Sequence, residues 1–149
     1  MHPRRLRTSI VALTLAAVLT AACQKRSDSP GTSGTTGTGS GVRVTQVSIG
    51  RSLNASKTIN DSTDSFTPND TVYASVATEG SAASAALKAR WTYQDGQVVN
   101  ESTQTIAPTG PAVTEFHVSK PDGWPAGKYK VEILLDGAFA AARDFNVQR

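Results

Sequence analysis

Few side chains in this 149-residue sequence are of kinds that do chemistry, and their spacing narrows the field further. There are two histidines, His2 and His117, and one cysteine, Cys23. A Ser-His-Asp arrangement in the body of the chain would have to use His117, which alternates with Phe116 and Val118 and so reads as an exposed strand position. Without a second histidine or a further cysteine beyond residue 23, a His/Cys zinc site within one chain is excluded, and no internal disulfide can form. Asp61, Asp64 and Asp70 share one polar stretch and could offer oxygen ligands to calcium, with Asp64 and Asp70 a conceivable carboxylate pair for hydrolysis. Their spacing matches no EF-hand loop, and carboxylates on a long connection rarely hold catalytic geometry, so solvated turn and capping roles are expected. No glycine-rich loop follows a strand and opens a helix, so no nucleotide site is expected either. The reading is therefore of a chain without catalytic residues, metal ligands or cofactor. Three residues remain as contact candidates. Trp124, between Gly123 and Pro125, could stack on a sugar or instead plug the end of a fold; Lys88 and Arg90 stand on the polar face of a strand.

Charge points away from nucleic acid once it is located. The chain is formally +3, but Arg4, Arg5 and Arg7 all precede the apolar run that starts at Ile10. The twelve basic residues from Cys23 onward equal the twelve acidic ones, and Lys128 and Lys130 alternate with Glu132, so no basic stripe is left to follow a phosphate backbone.

The first twenty-two residues carry their own signature. A basic region to Arg7 leads into ten apolar-rich residues from Ile10 to Leu19. A spanning helix needs ~20 apolar residues, so this run has the length of a secretory signal core rather than of a membrane anchor. Small residues follow, Ala21 and Ala22, and then Cys23. This stretch resembles the bacterial lipobox, with Thr20 standing where that pattern usually has a branched apolar residue. The resemblance implies a signal peptide over 1–22, cleavage before Cys23, and acylation, palmitate included, of that cysteine. One acyl chain binds a bilayer only marginally, at ~0.8 kcal/mol per buried methylene, whereas two or more chains hold firmly. Gln24 is not the aspartate that retains lipoproteins in the inner membrane, so the resemblance implies the outer membrane where a cell has two, and the cell membrane where it has one.

Residues 23–41 form the expected tether. Ser27 to Gly41 contains only Ser, Asp, Pro, Gly and Thr. Such a segment has nothing to bury against its ordering entropy, and a Gly/Ser-type coil of this length spans ~25 Å.

From residue 42 to the end, short runs alternate with period two between turn residues, which predicts an all-β domain of about seven strands. Val42-Arg43-Val44 and Val47-Ser48-Ile49 read as one strand with a bulge where the alternation slips. Residues 54–70 form a long connection anchored by Ile59 and Phe66, and Val72, Ala74 and Val76 mark the next strand. The alanine-rich stretch 81–89 could form a helical turn. Leu87, Ala89, Trp91 and Tyr93 alternate with Lys88, Arg90 and Thr92, and Asp95-Gly96 signals a tight hairpin. Residues 98–106 are weakly patterned and suit an edge; 113–119 is a further strand. Tyr129, Val131, Ile133 and Leu135 form a strong strand, Asp136-Gly137 a second hairpin, and Phe139, Phe145 and Val147 are expected to close the sheet inward.

Gly127-Lys128-Tyr129-Lys130-Val131 resembles the immunoglobulin-type corner, in which a tyrosine sits two residues before a core position on the penultimate strand. The resemblance implies an immunoglobulin-like antiparallel β-sandwich, with Val131 where antibody domains carry a cysteine, Val76 opposite it and Trp91 central. Anchor, tether and sandwich together suggest a lipoprotein held at the membrane whose module binds another envelope protein or helps assemble a complex there. The alternative is a carbohydrate or peptidoglycan binder using Trp124.

Overall fold

The computed structural model describes residues 41–149, and these contain no helix. The expectations for the signal peptide, Cys23 and the tether before Gly41 lie outside the described residues. Eight strands run in chain order: β1 (Gly41–Gly50), β2 (Ser65–Phe66), β3 (Val72–Ser81), β4 (Ala85–Tyr93), β5 (Gln97–Ile106), β6 (Ala112–Val118), β7 (Gly127–Leu135) and β8 (Ala138–Val147). They form a three-stranded sheet in the order β1-β3-β6 and a five-stranded sheet in the order β2-β8-β7-β4-β5. All pairings are antiparallel except that of β2, which runs parallel to the end of β8. This is an immunoglobulin-like sandwich: the inner faces of the two sheets meet over Val47, Val76, Leu87, Trp91, Phe116, Val131 and Phe145, all at most 2% exposed.

The alternation of apolar residues explains most of this, and its slips are where the ladders slip. In β1, Val42 and Val44 fall out of phase with Val47 and Ile49. The register moves from Val44 opposite Thr78 to Gln46 opposite Ala77, so Thr45 is the extra residue that lets both pairs turn inward. The Thr45 hydroxyl donates to the carbonyl of Ala77 at 3.2 Å. On β4 the expected face holds: Leu87, Ala89 and Trp91 are fully buried.

Four expectations need correction. The alanine-rich stretch 81–89 forms no helical turn; β3 continues to Ser81 and β4 begins at Ala85. Alanine's helix preference is small beside burial of Ala85, Leu87 and Ala89 on one sheet face, which only a period-two conformation allows. The hairpin after β4 has three residues between Tyr93 and Gln97, and positive φ falls at Gln94 (45°) and Gly96 (98°), leaving Asp95 out of that region. Phe139 does not close the sheet inward but is 62% exposed. The register jumps from Ile133 opposite Ala141 to Leu134 opposite Phe139, and the extra residue, Ala140, reverses the facing of everything before it on β8. Finally, the long connection holds a strand the sequence did not betray: β2, two residues long, sets Phe66 against Phe145 with ring centroids 5.4 Å apart. Asp136-Gly137, by contrast, has positive φ at both positions (51° and 82°), the two-residue turn its sequence demands.

Candidate functional site

Tyr129 anchors one end of the sandwich. It is 3% exposed, and its hydroxyl donates to the carbonyl of Pro125 at 2.8 Å, the corner geometry its sequence context implied. Trp124 completes this end. Its backbone N–H donates to Pro68 O (2.8 Å), its indole N–H donates to Asp70 O (2.9 Å), and its ring packs edge-on against Tyr129 with centroids 5.2 Å apart. At 2% exposure the ring offers no stacking platform; Trp124 is the plug of the two roles its sequence allowed. Burial first, and then the neighbouring Tyr93 phenol, push the Tyr129 hydroxyl up to about 12. A phenol with a raised folded value loses its stabilising contribution as pH climbs from its ordinary value near 10 towards the folded one, because the unfolded chain ionises first. Tyr129→Phe should therefore cost about 1 kcal/mol at neutral pH through the lost hydrogen bond. It should also flatten the fall in stability above pH ~10. Urea titrations of both proteins across that range check it; parallel curves would show that Tyr129 does not govern the alkaline limit.

In the polar stretch that holds Asp61, Asp64 and Asp70, the Asp70 carboxylate is tied down by hydrogen bonds. Burial alone would raise the Asp70 carboxyl. Hydrogen bonds from Thr67 and from Arg51 outweigh it and hold Asp70 below the usual carboxylate range. Its Oδ2 accepts from Thr67 N at 2.8 Å and from Arg51 Nε at 2.9 Å, and the Arg51 guanidinium lies 5.5 Å from the centre of the Phe66 ring. Among the described residues no three carboxylate, histidine or cysteine side chains come together as a metal site would require. His117 Nδ1 lies 3.4 Å from Glu115 Oε2 on the outside of β6, its side chain 59% exposed.

Lys88 and Arg90 are brought together on the outer face of the five-stranded sheet. Both reach Glu101 on β5, Arg90 at 2.6 Å and Lys88 at 3.8 Å, and Arg90 also lies 4.0 Å from Glu132 on β7. The hydrogen bond from Arg90 is the main reason that the Glu101 carboxyl sits below its ordinary range. These cations are held in a ladder across three strands, and Trp124 lies apart from them at the corner of the fold. Exposed ion pairs of this kind contribute little stability; their effect is to fix two long side chains on one outward face.

Two surfaces escaped the residue-by-residue reading. The first is the outer edge of β5. This strand pairs only with β4, and all ten of its residues are exposed or half-buried. Its single charge is Glu101, it contains no proline, and Val98 is 53% exposed. Natural edges are commonly guarded by charge, proline or bulges, because their unpaired N–H and C=O groups invite another strand. Here a bulge at Val99, between the pairs Trp91–Asn100 and Thr92–Val98, is the principal guard. The weak patterning of 98–106 signalled an edge, but no sequence feature could say that, among the described residues, only β4 pairs with it and that Gln104 reaches from it to the Glu115 carbonyl on β6 at 2.6 Å. The second surface is a shallow open groove of about 550 Å³ between β1 and β8. Val47 and Ile49 lie at its base, with Asp64, Arg143 and Asp144 among its lining residues. Its openness suits a transient polar contact better than retention of a small molecule.

No protein-family model matches the sequence, and no curated protein matches it significantly. Several solved structures are similar in fold. The C-terminal domain of Wzt superposes with a TM-score of 0.50 at 14% identity, over 74% of this chain and 75% of that one. An immunoglobulin-like protein from Pseudomonas aeruginosa gives 0.49 at 14% identity, over 75% of this chain and 100% of that one. The alkylpurine DNA glycosylase AlkC from Pseudomonas fluorescens gives 0.49 at 12% identity, and there this chain spans only 31% of the other's length. At such identities the Wzt likeness speaks to fold alone, and fold does not determine function.

Proposed function

We propose that this protein is a lipid-anchored envelope protein whose immunoglobulin-like module binds another protein without catalysing a reaction. The observation that carries the anchoring is the placement of the sole cysteine, Cys23, directly after Ala21-Ala22 and the apolar run from Ile10 to Leu19. A chain formally neutral from Cys23 onward, with an immunoglobulin-like domain following the tether of residues 23–41, is suited to contact with another protein. The palmitate-bearing cysteine would place it at the outer membrane in a cell with two membranes. The carbohydrate reading required the Trp124 ring at the surface, and its burial leaves that reading without a platform.

The surface best fitted to a protein partner is the β5 edge, with the Lys88–Arg90–Glu101 ladder beside it. A partner strand added there would gain main-chain hydrogen bonds along ten residues, and the ladder would favour a partner with complementary polar groups. A photocrosslinking residue placed at Thr103 on β5, in the intact envelope, should yield one discrete adduct. The same group at Lys57, in the loop after β1, should yield none. Equal labelling at both positions, or none at Thr103, would count against the edge as the binding surface.

A further inference from the structure

The two ends of the sandwich differ sharply in polarity. At one end β1 begins, and the β3–β4, β5–β6 and β7–β8 connections are stitched together. Gly41 pairs with Ser81, Ser81 bridges to Thr109, and Ala82 N donates to Pro108 O at 3.0 Å. Asp136 N donates to Ala86 O and Ala86 N donates back to the Asp136 carboxylate, each at 2.8 Å. Across residues 80–86, 106–113 and 134–142 the only charged side chain is Asp136, turned to that backbone amide, and the start of β1 adds only Arg43, paired with Glu79. The opposite end carries Arg51, Lys57, Asp61, Asp70, Lys120 and Asp122. The charge-poor end also presents Phe139, 62% exposed, beside half-buried Leu134 on the neighbouring strand. An exposed aromatic on a rim of alanine, proline and glycine is poorly matched to water.

We infer that this end rests on the lipid surface, with the Phe139 ring seated at the boundary between headgroups and acyl chains. The inference depends on the anchoring proposed above, and the position of Gly41 is what ties the two together. Only seventeen residues separate Cys23 from Gly41, and Gly41 opens onto this end of the domain. One phenylalanine and a few alanines would not hold a free protein to a bilayer, since interfacial binding scales with buried apolar area. Tethering supplies a high local concentration of lipid, so weak contacts suffice to choose the orientation. The cations nearest this end, Arg43 on β1 and Lys88 opposite Leu134, are paired with Glu79 and Glu101, so the contact should depend little on anionic lipid or salt. In this orientation the β5 edge, which runs up the side of the sandwich, remains accessible.

Phe139→Trp and Val98→Trp test the orientation, because the native Trp91 and Trp124 are buried and give both variants the same background. The chains are purified from membranes, checked by mass for acylation at Cys23, and reconstituted into phosphatidylcholine vesicles carrying a shallow nitroxide-labelled lipid. The added quenching at position 139 should be at least about twofold that at position 98, given a ring buried ~5–10 Å into the interface, and should persist at high salt. Equal quenching at the two positions in an acylated protein would overturn this inference and leave the anchor standing. Protection of position 139 in the native envelope but not in vesicles would also overturn it, by showing that a protein covers this end. An unmodified Cys23 would remove the anchor and this inference with it.

Discussion

Replacing Trp91 with alanine should destabilise the domain by about 3–5 kcal/mol, a large part of the ~5–15 kcal/mol that holds a domain of this size folded. Trp91 lies on β4 between its two neighbouring strands, paired with Asn100 on β5 and Val131 on β7, and it has no exposed surface. Its ring meets Phe145 edge-on with centroids 6.0 Å apart, and Phe145 in turn stacks on Tyr129 at 5.2 Å. Truncation would open a cavity between sheets that the ladders hold apart, so little collapse could offset it. One feature separates packing from hydrogen bonding at this position: the Trp91 indole N–H is buried with no hydrogen-bond partner among the described residues. An unsatisfied buried donor costs about 1–3 kcal/mol, and Trp91→Phe removes it while keeping a ring. Trp91→Phe should thus be much milder than Trp91→Ala, and the difference in urea midpoints between the two variants checks this. Similar losses for both would mean that the indole is held by an interaction rather than by packing alone.

The second large effect is on location. Cys23→Ser should transfer the protein from the membrane fraction to the soluble fraction almost completely. Two or more acyl chains, each methylene worth ~0.8 kcal/mol of burial, bind a bilayer far more tightly than any surface of the folded domain could. On the proposed anchoring, the Phe139 end would orient a domain already held by its acyl chains and could not replace them. Fractionation of cells producing the serine variant reads this directly. Retention of the variant at the wild-type level would require a different attachment, such as a tight membrane-bound partner.

Much of the fold was legible because burial and alternation agree wherever the ladders are regular. Leu87, Ala89 and Trp91 on β4, and Tyr129, Val131 and Ile133 on β7, could be placed from period two alone. The tyrosine corner was legible because its geometry needs only a tyrosine and a core residue at fixed spacing. What escaped was governed by features of backbone register. The bulge at Ala140 turned Phe139 outward, and alanine on either side gave no warning, since a methyl group is tolerated on both faces. β2 escaped because two residues are too few to show a period, although Phe66 alone marked an inward anchor. The candidate surfaces were the least legible part. Lys88 and Arg90 were visible as an outward pair, but their convergence on Glu101 depends on a strand pairing eleven residues away from Arg90. Trp124 carried two readings that only burial could separate.

Lipid anchoring is tested most directly by the mass of the mature protein's N-terminal peptide, isolated from membranes. Lipid anchoring predicts a chain beginning at Cys23 and carrying a thioether-linked diacylglyceryl group, with or without a further acyl chain on its amine. A peptide that begins at Cys23 with a free thiol, or that runs uncut through Ala21-Ala22-Cys23, would contradict it.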